Sequence, residues 1–328
     1  MIARLFRRTL LMAVTMWSLS ATPNTMEPKI LVTLLGTAGG AHGGLQDNAL
    51  YGRKHAVTLI EAGGQKLLFD AGRGMVEQLV KLGPSYIKET TNVFLTHHHF
   101  DHICDLDVLF LSGRSMQRKG ALYVFGPEGT EELVANIKAT YRYDIDYMAM
   151  GGKRKPEIIP QNIGEGIVYE KEGVRVIAFD VPHHPASISS EQKNLYPALG
   201  YRINYKECSV VISGDTMYSE NLIKYAKGTD LLIHEVMPGA ISESQRESTR
   251  ESSRKGLLSR WHHTNATDAG KVFEQVRPQL VVYTHLIVGP RGSLEKIIAE
   301  TKKTYKGSLV IGEDMMKIEV GQNVTIKK

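Results

Sequence analysis

The sequence predicts an α/β domain, and three observations carry that prediction. Short, apolar, β-rich runs recur along most of the 328 residues, helix-period segments separate many of them, and acidic residues and histidines close several of the runs. Strands alternating with helices fold as layers, and in layered folds the strand ends hold side chains rigidly where ligands collect. Composition agrees: 42% hydrophobic and 23% charged residues suit a soluble domain large enough to bury a core.

The chain begins "MIARLFRRTLLMAVTMWSLSATPNT". A basic start, an apolar stretch from Leu10 to Leu19, and small residues at Ser18, Ser20 and Ala21 read as an export signal over residues 1–25, cleaved or kept as an anchor. About ten apolar residues are too few to span a bilayer as a settled helix. "RRTLL" also loosely fits a twin-arginine signal, so the expected location is periplasmic or secreted. The competing reading is an N-terminal helix packed on the domain. Because Arg4, Arg7 and Arg8 hold three of the net +5 charges, charge alone makes no case for a nucleic-acid surface.

Strands are expected at "ILVTLLG" (30–36), "VTLIEAG" (57–63), "KLLFDAG" (66–72), "NVFLTH" (92–97), "ALYVFG" (121–126), "VRVIAFDV" (174–181), "SVVISGDT" (209–216), "DLLIHEV" (230–236), "LVVYTH" (280–285) and "SLVIGED" (308–314). Helical spacing occurs at 74–83, 129–141, 219–227, 266–276 and 293–305. No linker or repeat divides residues 26–328, which read as one catalytic domain. Segments 142–161 and 186–197 look like insertions. In the polar segment 242–260, Arg246, Arg250 and Arg254 each follow a glutamate by three residues, which reads as a solvated helix face rather than an anion-binding lid.

Cys104 lies two residues beyond His102, whereas Cys208 lies seven before Asp215. Seven extended residues span about 23 Å, beyond disulfide reach if His102 and Asp215 share a site, so both are expected as buried, unbridged thiols.

Asp70, His97, Asp215, Glu235 and His285 each end an apolar run. The densest cluster is "LTHHHFDH", residues 95–102. His97 and His99 are two apart on what starts as a strand, so their rings point the same way, and Asp101 and His102 follow at a turn into a helix. Imidazole nitrogens and carboxylate oxygens are zinc donors, and three of them with one open position make a catalytic site.

With those residues in place, the sequence resembles the metallo-β-lactamase superfamily of hydrolases from "LLGTAGG" to "GEDMMKIEV". Five motifs occur in order: "LFDAG", "HHHFDH", "VPHHP", "SGDT" and "YTHL". The resemblance implies an αββα four-layer sandwich of two mixed β-sheets flanked by helices. It also implies two zinc ions, with manganese or iron tolerated by the same donors. His97, His99 and His183 would hold one ion, Asp101, His102 and His285 the other, with Asp215 bridging them and Asp70 orienting a ligand. His184 is the alternative to His183, and Phe100 departs from the small or polar residue common at its position. A hydroxide shared by the ions would be the nucleophile.

"LLIHEV" and "RWHHT" resemble the ribonuclease Z and arylsulfatase-like branch, in which a glutamate and a histidine assist the leaving group. That match assigns the roles to Glu235 and His262, with His263 not excluded by spacing and His234 an ordinary core or second-layer histidine. The leading expectation is an exported hydrolase of small anionic sulfate or phosphate esters, an arylsulfatase or phosphodiesterase, with Arg53 and Arg291 as weak candidates for receiving the anion. Nucleic acid is the less favoured partner because no long basic arm is evident; "GGKRKP" (151–156) is only a short patch. A tRNA 3'-processing endonuclease of the ribonuclease Z type is therefore an alternative. The others are a lactonase or β-lactamase, for which Glu235 with His262 is not required, and a non-enzymatic metal-binding domain. The branch also points to a homodimer.

Overall fold

The computed structural model describes residues 29–40, 52–150, 155–184, 189, 195–242, 244–245, 262–287 and 294–327. In chain order, β1 (Ile30–Gly36), β2 (Val57–Ala62), β3 (Gln65–Phe69), β4 (Asn92–Phe94), β5 (Leu122–Gly126) and β6 (Ile158–Asn162) build the first sheet. The second sheet takes β7 (Gly166–Lys171), β8 (Val174–Val181), β9 (Ala198–Tyr205), β10 (Cys208–Ile212), β11 (Leu231–Val236), β12 (Leu280–Leu286) and β13 (Leu309–Ile311). The chain then returns to the first sheet with β14 (Lys317–Val320) and β15 (Val324–Lys327). Strand orders are β15-β14-β1-β2-β3-β4-β5-β6 and β13-β12-β11-β10-β9-β8-β7. Both sheets mix directions: β3 to β6 are parallel, as are β10 to β13, while hairpins flank each parallel set.

Alternation along the strands sends one set of side chains between the sheets. Ile30, Val32, Phe69 and Phe94 from the first sheet meet Val176, Tyr201, Val210 and Ile233 from the second. Phe69 stacks on Phe94 at 5.1 Å and meets Tyr201 edge-on at 5.3 Å, so the sheets are joined by aromatic packing as well as aliphatic burial. Each such fully buried side chain contributes about 1.5–3 kcal/mol.

The opposite faces are covered by helices. On the first sheet lie α1 (Met75–Leu82), α2 (Ser85–Glu89), α4 (Leu106–Ser115) and α5 (Thr130–Thr140), through Met75, Leu79, Ile87, Leu109, Phe110 and Val134; the short α3 (Phe100–Ile103) precedes α4. On the second sheet lie α7 (Glu220–Ala226), α8 (Ala266–Val276) and α9 (Leu294–Thr301), through Leu222, Ile223, Val272, Phe273 and Ile297. Helix α6 (Arg142–Ala149) buries no residue. The layers are therefore helix, sheet, sheet, helix.

Several elements differ from the sequence expectation. The supposed insertion at 142–161 contains α6 and the edge strand β6, where Pro160 is tolerated as it would not be in a central strand. Strands β7, β9, β14 and β15 and helix α2 were not foreseen either. Cys104 is half-buried rather than buried, and neither cysteine is in a disulfide. The export segment, most of 186–197 and most of 242–260 lie outside the described residues. Among the described residues no helix is long and apolar enough to cross a membrane.

Candidate metal centre

The parallel strands of both sheets end at the same edge, and there the polar residues meet. Asp70 follows β3, His97 and His99 follow β4, Asp101 and His102 ride on α3, His183 follows β8, Asp215 follows β10, and His285 lies near the end of β12. Asp70 (φ 66°) and His285 (φ 49°) hold left-handed backbone that non-glycine residues adopt at a cost, as is common where a site dictates side-chain direction.

Two donor groups match the expected ligand sets, with Asp215 close to both, and two overlapping groups bring in His263, one with His183 and His262 and one with Asp215 and His285. His97, His99, His183 and Asp215 offer one ligand atom each, all within 4.8 Å of one another, as do Asp101, His102 and His285. In the first group His97 Nε2 lies 2.9 Å and His183 Nε2 3.2 Å from His99 Nδ1. In the second, His285 Nε2 lies 3.2 Å from Asp101 Oδ2. Asp215 Oδ2 is 3.2 Å from His285 Nε2, 3.4 Å from His102 Nε2, and 3.8 Å from both His97 Nε2 and His183 Nε2.

This arrangement fits divalent ions. His102 Nε2 and Asp215 Oδ1 are buried without a hydrogen-bond partner, a costly state unless the lone pairs coordinate. Burial holds the His97 and His183 rings well below the usual imidazole range, so they present lone pairs rather than protons. For His102 burial works the same way, but Asp215, Asp70 and Asp101 outweigh it and raise its proton affinity, so an ion would replace that proton. The donors are all nitrogen and oxygen; Cys104 Sγ faces His55 Nδ1 at 3.9 Å instead.

The ligands' outer atoms are also held. Asp70 Oδ2 accepts from His102 Nδ1 at 2.8 Å, and the His262 carbonyl accepts from His183 Nδ1 at 2.7 Å. Gly40 N–H donates to Asp101 Oδ2 at 2.6 Å. Gly39 lies flat against His285: a Cβ there would sit 2.3 Å from the ring. Gly214 (φ 60°) lets the turn before Asp215 pass close to Leu199 O and Thr96. The close approach at Gly39 was not singled out by the motif reading, although "GTAGG" was visible as a signal.

Beside the donors lies a buried acid–base pair. Glu235 Oε1 accepts from Thr216 N–H at 2.8 Å and from His263 Nδ1 at 2.9 Å, and that nitrogen is 3.9 Å from Asp215 Oδ2. The histidine held by Glu235 is therefore His263, which the sequence left open, and not His262. Asn265 caps α8, two residues beyond His263, by accepting from Thr267 N and Asp268 N. The half-buried His262 ring packs instead against His183 at 4.7 Å. Burial opposes charge on His263, but Glu235 and Asp215 push it up to about 9, while burial raises Glu235 against the pull of His263.

Other candidates fall elsewhere. His184 is half-buried and joins no donor group among the described residues. His234 is buried, its Nδ1 bonded to the Glu235 carbonyl and its ring edge-on to Phe273, and burial lowers it to about 4; it is a core residue. Arg53 Nη1 donates to Thr37 Oγ1 at 2.9 Å and to Gly312 O at 2.5 Å, a brace between the β1–β2 connection and the turn after β13 rather than an anion receiver. Arg291 lies outside the described residues.

A sequence profile described as the beta-lactamase superfamily domain matches residues 65–286, which include every candidate metal ligand above. The chain belongs to the metallo-β-lactamase superfamily. It is a metal-dependent hydrolase acting on ester bonds. It is similar to the ribonuclease Z of Mycobacterium sp. (strain KMS), 26% identical over 278 residues that cover 82% of this chain and 91% of that protein. Among solved structures, the metallo-beta-lactamase fold protein YhfI from Bacillus subtilis superposes with a TM-score of 0.65 at 18% identity, covering 89% of this chain and 100% of that one. The short form of human tRNase Z superposes with a TM-score of 0.60 at 20% identity, covering 88% and 98%. Both likenesses show a shared fold.

Proposed function

We propose that this metallo-β-lactamase superfamily member is a phosphodiesterase of the ribonuclease Z type, cleaving a phosphodiester bond in RNA. The observation that carries the reading is the buried Glu235–His263 pair, 2.9 Å apart and set against the donor cluster. Hydrolysis of a lactam or lactone does not call for such a pair, whereas a phosphodiester with an alkoxide leaving group calls for a proton donor. The ribonuclease Z relatives favour the same substrate class over an aryl sulfate, which reverses the sequence-based order of preference.

Two divalent ions held by the donor groups would activate water for attack and neutralise charge growing on the phosphate. The chain's own residues do the rest. Asp215 reaches both donor groups and spaces them. Glu235 fixes His263 through Nδ1, leaving Nε2 to deliver a proton to the departing oxygen. Asp70 and the His262 carbonyl keep ligand rings from turning. Parallel turnover of an RNA with a 3' extension and of an aryl sulfate tests the reading: cleavage of the RNA that depends on His263 is expected, and turnover of the sulfate alone would overturn it.

The N-terminal segment supports a refinement. We propose that the protein is exported, so that its phosphodiester is met outside the cytoplasm. Fusion of residues 1–25 to a reporter active only after export tests this; a reporter that stays silent would remove the refinement and leave the chemistry standing.

A further inference from the structure

The hydroxyl of Thr96 sits between a carboxylate and two metal-ligand histidines. Thr96 is fully buried. Its Oγ1 is 3.0 Å from both Asp70 carboxylate oxygens, 3.0 Å from His97 Nδ1 and 3.4 Å from His102 Nδ1, while its N–H donates to Asp70 Oδ1 at 2.8 Å. Asp70 can only accept, so the Thr96 hydroxyl donates to it; the Thr96 lone pair then accepts from His97 Nδ1–H. This fixes His97 in the tautomer whose Nε2 is unprotonated. Nε2 is the atom that faces His99 Nδ1 and Asp215.

We propose that Thr96 is a positioning residue that extends the reach of Asp70 from one metal position to both. Asp70 orients His102 directly, in the second donor group, and orients His97 through Thr96, in the first. One buried carboxylate thus sets a ligand for each ion, and the two positions are coupled through a single hydroxyl. Outer partners of ligating histidines typically change metal affinity by about 10–100-fold, because they hold both ring direction and tautomer. The inference stands whichever ester is cleaved.

The test compares Thr96→Val, which keeps the branched shape and removes the hydroxyl, with Thr96→Ser, which keeps the hydroxyl. Zinc content and affinity are read by competition with a chromogenic chelator, and the His97 ring nitrogens by ¹⁵N NMR in zinc-loaded protein. Thr96→Val is expected to weaken one of the two zinc affinities by about tenfold or more and to disturb the His97 Nδ1–H signal, while Thr96→Ser stays within about twofold of the parent. Equal affinities in Thr96→Val and parent would overturn the proposal, as would a Thr96→Ser loss as large as that of valine. If the valine variant does not fold, the parent spectrum decides: a hydrogen-bonded Nδ1–H on His97 supports the relay, and a proton on Nε2 refutes it. A parent that binds no zinc would sink the metal reading itself, a result distinct from either.

Discussion

Changing Glu235 to glutamine removes one charge and preserves the shape of a side chain that is almost wholly buried. Its Oε1 then still accepts from Thr216 N–H, but the neutral amide no longer holds a protonated His263, which the carboxylate and Asp215 push up to about 9. If the pair donates the leaving-group proton, its loss removes general-acid catalysis, worth about 10²–10⁴-fold. At about 1.4 kcal/mol per decade, that is roughly 3–6 kcal/mol of transition-state stabilisation. The cost is selective. An RNA or alkyl phosphodiester expels an alkoxide and needs the proton; a bis-nitrophenyl phosphodiester expels a nitrophenolate that leaves without one. The assay is kcat for both substrates with zinc-loaded parent and Glu235→Gln. A loss of about 10²-fold or more on RNA with less than about tenfold on the nitrophenyl diester is expected. Equal losses on both would refute the reasoning, because the pair would then be holding the ions or the fold rather than supplying a proton.

Replacing His262 by alanine should lower RNA cleavage far less than replacing His263, since the Glu235 bond belongs to His263; comparable losses measured by kcat would restore His262 as the acid. Gly39→Ala drives a Cβ to within 2.3 Å of the His285 ring, and metal analysis should show about one ion lost per chain with little change in urea stability. Arg53→Ala breaks the brace to Thr37 and Gly312 and should cost about 1–2 kcal/mol in urea unfolding while leaving KM for an anionic substrate unchanged; a raised KM would make it a substrate contact after all. In metal-free protein, His263 rises on folding from 6.5 to about 9, so its share of stability is present below about pH 6.5 and lost as pH climbs through 9; the fall in urea midpoint over that window should be smaller in His263→Ala.

The strands that carry the site were legible because each is a buried apolar run closed by a polar residue, and β3, β4, β10, β11 and β12 all share that pattern. Peripheral elements gave no such signal. Strand β6 contains a proline, β9 alternates Leu199, Tyr201 and Ile203 with Gly200, Arg202 and Asn204 and so forms no continuous apolar run, and β14 and β15 are only four residues long. At the site, a single-residue ambiguity concerned the acid: His262 and His263 are adjacent in sequence, and only a contact from a residue remote in sequence, Glu235 Oε1 at 2.9 Å from His263 Nδ1, separates them. Thr96 was invisible for another reason. Its role lies in distances to residues remote in sequence, Asp70 above all, and a threonine before a histidine carries no chemistry of its own. Arg53 misled because a cation near a site suggests an anion, whereas its guanidinium is engaged by backbone and hydroxyl oxygen.

The most direct test of the central claim is turnover of an RNA bearing a 3' extension by protein loaded with zinc, alongside the same protein carrying Asp215→Asn. Asp215 lies within 3.8 Å of ligand nitrogens from both donor groups, so its loss should uncouple the ions and abolish cleavage while the fold persists. Cleavage by the parent, lost in Asp215→Asn and on chelation, is the expected result. RNA left intact by fully zinc-loaded protein, or cleaved equally well by Asp215→Asn, would contradict it.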